Sequence, residues 1–236
     1  ADFYGFQGYV FLRGGDGFSL ENQLRGQLTS RVRYGEAPAL ADLERDYDVV
    51  VLATGNFDYL PAAARFRIDA RLAMHYALVG EKEERIRADE VEHWLNARYA
   101  RKGYCYRMPL AEGRAMVCCA GVMTAGRDDV RPGWEMFKAE QVAGKYAIEE
   151  EHHIVNYLFG EPEQVRVGNI FLTGTNAGCT NPFYGYGIFN SLLSGMFAAE
   201  AIARGESYED KMRSVRREYA RGLDLFKRFH QFGDRG

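Results

Sequence analysis

The stretch from residue 169 to residue 203 constrains the fold more than any other part of the chain. It opens with the apolar run NIFLT, continues into a glycine-rich segment and ends in an amphipathic pattern of helical length. Glycines let a backbone approach a ligand closely, and the first turn of a helix offers unpaired N–H groups to negative charge. Strand, glycine-rich loop and helix together predict a nucleotide-binding α/β unit, although an ordinary strand-to-helix connection gives the same pattern.

The residues of this loop resemble the second flavin fingerprint of the glutathione-reductase-type FAD enzymes, and most closely that of their geranylgeranyl-reductase-like branch. That branch has Gly-Asp-Ala-Ala-Gly, then Asn-Pro, then Gly-x-Gly-Ile. In the same order, this chain has Gly174, Thr175, Asn176, Ala177 and Gly178, then Asn181 and Pro182, then Gly185, Tyr186, Gly187 and Ile188. Thr175 replaces the acidic residue that would hold the ribityl chain of the flavin, and its hydroxyl makes a weaker contact than a carboxylate.

A second segment resembles the same class of enzyme. Residues 46–55 read DYDVVVLATG, and the β-branched run predicts a parallel strand buried on both faces. The Ala-Thr-Gly that follows resembles the segment that closes the nucleotide lobe in FAD and NAD(P) flavoproteins. The resemblance therefore implies FAD as cofactor, and it implies flavin contacts at Ala53, Thr54, Gly55, Gly174, Thr175, Asn181, Pro182, Gly185, Gly187 and Ile188.

The region between these segments has a different pattern. Residues 66–79 alternate between apolar and polar, and residues 104–109 and 115–122 form two β segments around a turn, which predicts antiparallel sheet. Gly-Tyr-x-Tyr-x-Met-Pro at residues 103–109 resembles the branch's aromatic-x-Trp-x-Phe-Pro motif, whose rings line a lipid cavity. Tyr104, Tyr106 and Met108 share one strand face and are the predicted substrate-binding residues, with plain core packing as the equal alternative. The tryptophan pair of the related halogenases does not occur here.

Helical patterns complete the predicted architecture. Ser19 is a plausible N-cap for a helix reaching about residue 31, residues 132–159 read as helical, and a charged helix spans residues 208–229. The predicted fold class is mixed α/β: a partial FAD/NAD(P)-binding Rossmann-like lobe with an inserted antiparallel β substrate layer and C-terminal helices. We expect the FAD lobe at residues 1–60, the substrate layer at 61–130, a helical connector at 131–165, the FAD strand-loop-helix at 166–205 and a final helix at 206–236.

Composition and charge exclude several classes. The 236 residues are 47% apolar with a net charge of −3 and dispersed signs, which argues against nucleic acid as a partner. No apolar run reaches the length of a transmembrane helix, and the start lacks the pattern of an export signal, so we expect a cytoplasmic protein. Four cysteines at 105, 118, 119 and 179 have no metal or redox spacing, so they are expected to be buried and reduced. Neither they nor the adjacent His152 and His153 predict a metal site.

One expected motif is missing from residues 1–236. FAD enzymes of this type begin with a strand and a Gly-x-Gly-x-x-Gly turn that holds the pyrophosphate, and this chain has no such turn. The chain is thus a fragment, one partner of a split enzyme that needs a second chain to supply the βαβ unit, or a degenerate relative without FAD.

The leading functional hypothesis is part of an FAD-dependent oxidoreductase that transfers hydride to or from an apolar, unsaturated or lipid-like substrate. The alternatives are a non-catalytic flavoprotein-like subunit or scaffold and, with less support, a flavin monooxygenase or halogenase. The sequence identifies no catalytic acid or base, because in flavoenzymes the cofactor performs the hydride chemistry. If a donor is needed, Cys179 and Tyr186 are the nearest candidates.

Overall fold

Two separate β-sheets organise the part of the chain that the structure describes. The computed structural model describes residues 17, 19–35, 38–124 and 126–232, so residues 1–16 of the expected FAD lobe lie outside the described part. The smaller sheet has three strands and the larger has five, and each sheet has its own hydrophobic core. The fold is therefore mixed α/β, as predicted.

The small sheet contains β1 (Val50–Leu52), β7 (Arg166–Val167) and β8 (Ile170–Leu172), in the order β1-β8-β7. β1 and β8 are more than a hundred residues apart in sequence but pair in parallel, with Val50 opposite Ile170 and Leu52 opposite Leu172. Parallel pairing brings the carboxyl ends of both strands to one edge of the sheet. The two segments that resemble flavoprotein motifs are therefore neighbours in space.

The large sheet is antiparallel and carries the order β3-β4-β5-β2-β6. Its strands are β2 (Phe66–Glu81), β3 (Glu92–Trp94), β4 (Gly103–Pro109), β5 (Arg114–Val122) and β6 (Tyr146–Pro162). The hairpin predicted from residues 104–122 is confirmed, with Tyr106 opposite Cys118. One face of this sheet packs on Trp134, Phe137 and Val142, which close a core of small residues from β2, β4 and β5.

The helices are α1 (Leu20–Arg25), α2 (Leu40–Asp46), α3 (Arg131–Phe137), α4 (Ile188–Arg204) and α5 (Tyr208–Phe232), and a π-helical turn follows α3 at Lys138–Val142. Ser19 caps α1 through its hydroxyl, as predicted, but the helix ends at Arg25 rather than near residue 31. Its leucine stripe stays exposed at Leu24 and Leu28, so burial does not extend the helix. Among the described residues, no helix is both long enough and apolar enough to span a membrane.

The helix predicted over residues 132–159 is wrong beyond residue 142. Residues 146–162 form β6, whose backbone pairs with β2 along almost the whole length of both strands. The apolar residues of this segment recur at steps that suit a helix, but the partner strand β2 offers sixteen residues of backbone to pair with. Tertiary pairing therefore overrides the local pattern. His152 and His153 lie on this strand and face opposite sides of the sheet, where they stack on Tyr76 and His75.

Two further expectations need correction. β1 is not buried on both faces, because Val51 is 47% exposed while Val50 and Leu52 are buried. The cysteines are all buried, but they are not all reduced: Cys105 and Cys119 lie opposite each other on β4 and β5 and form a disulfide. Spacing in sequence could not show this pair, because the strand register alone brings the two sulfur atoms together. Cys118 and Cys179 are free thiols.

Candidate functional site

The carboxyl ends of β1 and β8 form the first part of the site. Ala53, Thr54 and Gly55 follow β1 directly and are exposed, while the short 3₁₀ turn Gly174–Ala177 follows β8. Asn176 lies in that turn, is fully buried and joins the two segments: its Oδ1 accepts from the Gly55 N–H at 2.7 Å and its Nδ2 donates to the Asn56 carbonyl at 3.1 Å. The paired strands and this amide hold both loops at one edge.

The loop of residues 181–187 is organised from within by Asn181. Its Oδ1 accepts from the backbone N–H groups of Phe183 and Tyr184, and its own N–H donates to the Tyr186 carbonyl at 2.8 Å. Helix α5 passes close by, where a Cβ on Gly222 would approach the Asn181 side chain to 2.7 Å. Asn181 is therefore 5% exposed, and its side chain shapes the loop. Pro182 beside it is buried too.

Helix α4 begins at Ile188 with Gly187 as its N-cap, in agreement with the predicted helix start. Gly187 has no side chain that could cap the helix. The first turn of a helix carries N–H groups without intrahelical partners and the positive end of the helix dipole. Phe189 in that turn is 73% exposed, and the rings of Tyr184 and Tyr186 in the preceding loop are half-exposed, so the surface around the helix start is exposed.

The second part of the site is a face of the five-stranded sheet. α3 and the π-helical turn cover one face, whereas the side chains on the other face remain mostly half-buried. We call this second surface the open face; the strand registers place on it Met74, Tyr76, Leu78, His93, Tyr104, Tyr106, Met108, Met116, Cys118 and Ala120. The structure thus brings the predicted substrate residues Tyr104, Tyr106 and Met108 together on one surface.

A hydrogen bond joins the open face to the loop at the start of α4. The Tyr104 hydroxyl donates to the Tyr184 carbonyl at 2.7 Å, and the place of a Cβ on Gly185 is 3.5 Å from the same hydroxyl. Gly185 has φ +73°, a left-handed conformation that glycine adopts without strain. The two parts of the predicted site are therefore in direct contact.

Burial keeps the acidic groups of the open face protonated. It raises the pKa of Tyr104 to about 12 and that of the Cys118 thiol to about 12, and it raises the pKa of Tyr106, which also contacts Cys118. Desolvation lowers the pKa of His93. The phenols and the thiol are neutral donors near neutral pH, and the lowered pKa favours a neutral imidazole.

The two suggested donors have different surroundings. Cys179 is 1% exposed and packs in the core of the small sheet, where burial raises the pKa of its thiol to about 11. Tyr186 is 43% exposed, stacks on Tyr184 with ring centroids 5.3 Å apart, and has a pKa raised by desolvation. Of the two, only Tyr186 has a side chain that a ligand beside the loop could reach.

Sequence reasoning missed Asn176, Tyr76 and His93 as members of the site. Asn176 stands within the fingerprint, but only the position of Gly55 and Asn56 shows what its amide does. Tyr76 follows the alternation of β2, which identifies its face once the covered face is known. His93 lies in a three-residue strand that is too short to give a periodic signal.

The residues present fit a dinucleotide at this edge. Gly55 has φ +64°, and no atom lies within 4 Å of the place where a Cβ would stand, so its backbone is open to a ligand. The helix start at Gly187 offers N–H groups to an anion or an electron-rich ring edge. Thr175 adds a hydroxyl group and residues 53–55 add exposed backbone, while the Gly55 N–H and the Thr54 hydroxyl bond to Asn176 and Asn56 and hold the loop. These groups are suited to holding FAD.

Several solved structures are similar in fold to this chain. A geranylgeranyl bacteriochlorophyll reductase-like protein from Thermoplasma acidophilum is 17% identical with a TM-score of 0.54, over 80% of this chain and 55% of that one. The flavin-dependent brominase Bmp2 is 16% identical with a TM-score of 0.56, over 79% and 53%. The tetracycline destructase Tet(51) is 12% identical with a TM-score of 0.54, over 77% and 54%.

This chain spans about half the length of those structures, because the match includes 53–55% of each of their chains. No protein-family model matches the sequence, and no curated protein matches it. The chain therefore shares part of the fold of these structures, and the likeness covers the fold alone.

Proposed function

We propose that the chain is part of an FAD-dependent oxidoreductase that transfers hydride to or from an apolar, unsaturated substrate. The observation that carries the proposal is the parallel pairing of β1 with β8, which sets residues 53–55 beside the Gly174–Ala177 turn. Without that pairing, the two segments with flavoprotein-like sequences could not contact one ligand. Thr54, Gly55, Gly174 and Thr175 would contact the ribityl and phosphate part of the cofactor.

The start of α4 would lie at the flavin ring. Unpaired N–H groups and the dipole at the N-terminus of this 17-residue helix favour negative charge by about 0.3–2 kcal/mol. Bound FAD supplies the hydride acceptor or donor, and its reduced form carries negative charge on one edge of the ring. With FAD bound, the N–H groups at Gly187 and Ile188 would stabilise that charge, and Tyr184 and Tyr186 would shield the ring from water.

The open face would hold the substrate. Tyr104 reaches the loop through its bond to the Tyr184 carbonyl, so one end of the open face is next to Gly185–Gly187. A substrate there would contact Tyr104 and Tyr106 beside the ring and Met108 farther along β4. Met74, Leu78 and Met116 supply apolar surface around these residues. Tyr186 is the remaining candidate for a proton donor because its hydroxyl group belongs to the exposed part of the loop.

Flavin absorbance tests the proposal. Protein mixed with FAD, alone or with a chain that carries Gly-x-Gly-x-x-Gly, should retain the yellow flavin bands after gel filtration. Thr175→Asp should retain more flavin than the wild type because a carboxylate is the stronger acceptor for the ribityl hydroxyls, while the matched control Thr175→Asn should not. A colourless protein under all of these conditions would overturn the proposal.

Gly187→Val tests where the ring lies. A Cβ at this position would stand 3.1 Å from the Thr180 Cα and 3.2 Å from the Cys179 carbonyl, so valine displaces the loop from the helix start. We expect the variant to lose flavin while circular dichroism shows a folded chain. Flavin retained at the wild-type level would show that the ring lies elsewhere.

A non-catalytic flavoprotein-like subunit is the second candidate function. Thr175 in place of the acidic residue favours it, since this weakens one flavin contact. The flavin monooxygenase or halogenase alternative shares the fold, and the missing tryptophan pair argues against a halogenase. The cytoplasmic location stays a prediction, and the Cys105–Cys119 disulfide does not favour it, because disulfides are rare in reducing compartments.

We also propose that a second chain can supply the missing βαβ unit. Among the described strands β1 is at the edge of its sheet, Val49 and Val51 are exposed, and α4 exposes Phe189, Leu192 and Met196 at helical spacing. Val51→Lys should abolish binding of a separate chain that carries the Gly-x-Gly-x-x-Gly unit, whereas Lys at the remote exposed residue Leu95 should not. Equal binding by both variants would exclude β1 as the docking edge.

A further inference from the structure

The open face carries more hydrogen-bonding rings than a purely apolar substrate needs. Tyr76 on β2 and Tyr106 on β4 both lie opposite Cys118 of β5, one on each side of it. His93 on β3 lies opposite Tyr106 on the outer side. A surface that received only a hydrocarbon chain would cover these groups without giving them a hydrogen bond in place of the water that is displaced, which is unfavourable.

The rings of His93, Tyr104 and Tyr106 form a triangle on the open face. The ring centroids of His93 and Tyr104 are 5.9 Å apart, those of His93 and Tyr106 are 6.1 Å apart, and those of Tyr104 and Tyr106 are 6.0 Å apart. Aromatic rings attract one another at centroid distances of about 4.5–7 Å. A planar ring placed over this triangle can contact all three side chains at once, which a flexible aliphatic chain does less well.

The polar groups around this triangle are neutral, whereas the edge strand β6 adds Glu150 and His152 at the far side of the open face. Tyr104, Tyr106 and Cys118 stay protonated because burial raises their pKa values, and the pKa of His93 is lowered. The residues of β4 and β5 that point to the open face between 104–108 and 116–120 include no charged side chain. Neutral donors without a nearby cation suit carbonyl or hydroxyl oxygens better than carboxylates.

The hydroxyls differ in what they already bind. The Tyr104 hydroxyl donates to the Tyr184 carbonyl, so it holds the loop. The Tyr106 hydroxyl lies in contact with the Cys118 thiol, which is a weak partner that an oxygen atom can replace. The Tyr76 ring stacks on His152 with centroids 5.2 Å apart, which fixes the ring near the edge strand β6.

We propose that the open face binds a planar aromatic or quinonoid ring with neutral oxygen substituents, stacked on His93, Tyr104 and Tyr106 and selected by the hydroxyls of Tyr76 and Tyr106. This inference rests on the proposed function only in taking the open face as the substrate side. It narrows the apolar, unsaturated substrate to a ring that carries oxygen and excludes a simple isoprenoid chain.

The methionines of the chain make the test specific. Met74, Met108 and Met116 lie on the open face, whereas Met212 is buried in the core of the small sheet and Met196 is exposed on α4. In protein labelled with 13C at the methionine methyl groups, 2-acetylnaphthalene should shift the signals of the first three and leave Met196 and Met212 unchanged. Single Met→Leu variants assign the signals.

Matched probes measure the role of the oxygen. 2-Isopropylnaphthalene has the same ring and nearly the same shape but no acceptor, and farnesol represents an isoprenoid chain. We expect 2-acetylnaphthalene to bind about 2- to 10-fold more tightly than 2-isopropylnaphthalene, the range that one added hydrogen bond gives. Tyr76→Phe combined with Tyr106→Phe should remove this difference while the naphthalene ring still binds.

Several outcomes would overturn the inference. Farnesol binding more tightly than 2-acetylnaphthalene, equal affinity for the two naphthalenes, or shifts at Met196 instead of the open face would each do so. Shifts of Met74, Met108 and Met116 that follow protein concentration but no probe would show that a second copy covers the face. If the double variant does not fold, the comparison of the two naphthalenes on the wild type remains decisive.

The flavin measurement is separate from these tests. The probes bind without FAD, so selective binding by a protein that retains no flavin would support the ring site and contradict the proposed oxidoreductase. Flavin retention without discrimination between the probes would do the reverse.

Discussion

The two sheets place their candidate functional groups in different ways. In the small sheet, the candidate groups are backbone atoms at the ends of β1 and β8 and at the start of α4. In the five-stranded sheet, they are side chains that alternate along β2, β4 and β5, while the backbone is used up in strand pairing. A backbone site needs glycines and fixed loops, whereas a side-chain site needs only the right register.

The same comparison explains how completely each sheet is covered. The five-stranded sheet closes one face with Trp134, Phe137 and Val142 and leaves the open face half-buried. The small sheet buries β8 completely but leaves Val51 of β1 exposed at its edge. Surface that is not fully covered therefore lies at the candidate substrate site in the five-stranded sheet and at the outer edge of β1 in the small sheet.

Removing the central ring of the large core should have the largest effect on stability. Phe137 is fully buried and contacts Trp94, Tyr99 and Trp134 at centroid distances of 5.1–6.1 Å. Phe137→Ala should lower the free energy of unfolding by about 3–5 kcal/mol, measured by urea denaturation. Phe137→Leu, which keeps most of the volume, should cost clearly less. Similar losses for both variants would show that this core does not depend on the ring.

Asn176→Ala tests the amide that joins the strand ends of the small sheet. It removes a donor to Asn56 and an acceptor for Gly55, so we expect a loss of about 2–3 kcal/mol in urea denaturation and weaker retention of FAD. Asn56→Ala is the matched control, because it keeps both backbone partners and removes only the Asn56 Oδ1 that accepts from the Asp58 N–H, which should cost about 1 kcal/mol. Unchanged stability in Asn176→Ala would mean that strand pairing alone holds the two loops.

Each sheet contains one free buried thiol, and both thiols should make the free energy of unfolding depend on pH. Burial raises the pKa of Cys118 to about 12 and that of Cys179 to about 11, whereas an unfolded thiol titrates near 9. Between about pH 9 and 11 the unfolded chain therefore holds fewer protons, and stability falls as pH rises. We expect Cys179 to account for about 2 kcal/mol of the loss from pH 8 to pH 11, and Cys179→Ala should lack this part.

The comparison of Cys179→Ala with the wild type also needs the free energy of unfolding of both proteins at pH 8. There both states keep the proton, so the two proteins differ only by packing, and this constant difference is subtracted. Parallel pH profiles for wild type and Cys179→Ala would contradict the raised pKa.

Tyr219→Phe tests a contact between the two regions and should have the smallest effect. The Tyr219 hydroxyl on α5 donates to the Asp69 carboxylate on β2 at 2.7 Å, and Arg67 pairs with the same carboxylate. We expect a loss of about 1–2 kcal/mol, since the acceptor is charged but Arg67 remains. A double-mutant cycle with Asp69→Asn measures the coupling. Zero coupling would show that this bond does not link α5 to the sheet.

Much of the fold could be predicted because local patterns agree with the tertiary contacts. The alternation of residues 66–79 and of the hairpin follows the sheet they form, and the break at Gly187 marks the start of α4. The prediction failed at residues 146–159, where spacing of apolar residues suited a helix and the free edge of β2 decided for a strand. The residues of 146–159 carry no information about that edge, because β2 is distant in sequence.

The candidate site divides in the same way. Glycines, Asn-Pro and the Tyr-x-Tyr-x-Met pattern are local features, so the residue types of the site could be read directly from the chain. The bond between Tyr104 and Tyr184, the Asn176 bridge and the Cys105–Cys119 disulfide each join residues that only packing brings together.

The sequence by itself determined the two strand-and-loop segments, the alternating strands and the long helices, because these follow from backbone preferences and apolar periodicity over short distances. Only the tertiary structure decided that β1 and β8 are neighbours, which face of the large sheet stays open, and that this face touches the loop at α4. Such relations depend on free energies of packing between distant residues, and no short stretch of sequence carries them.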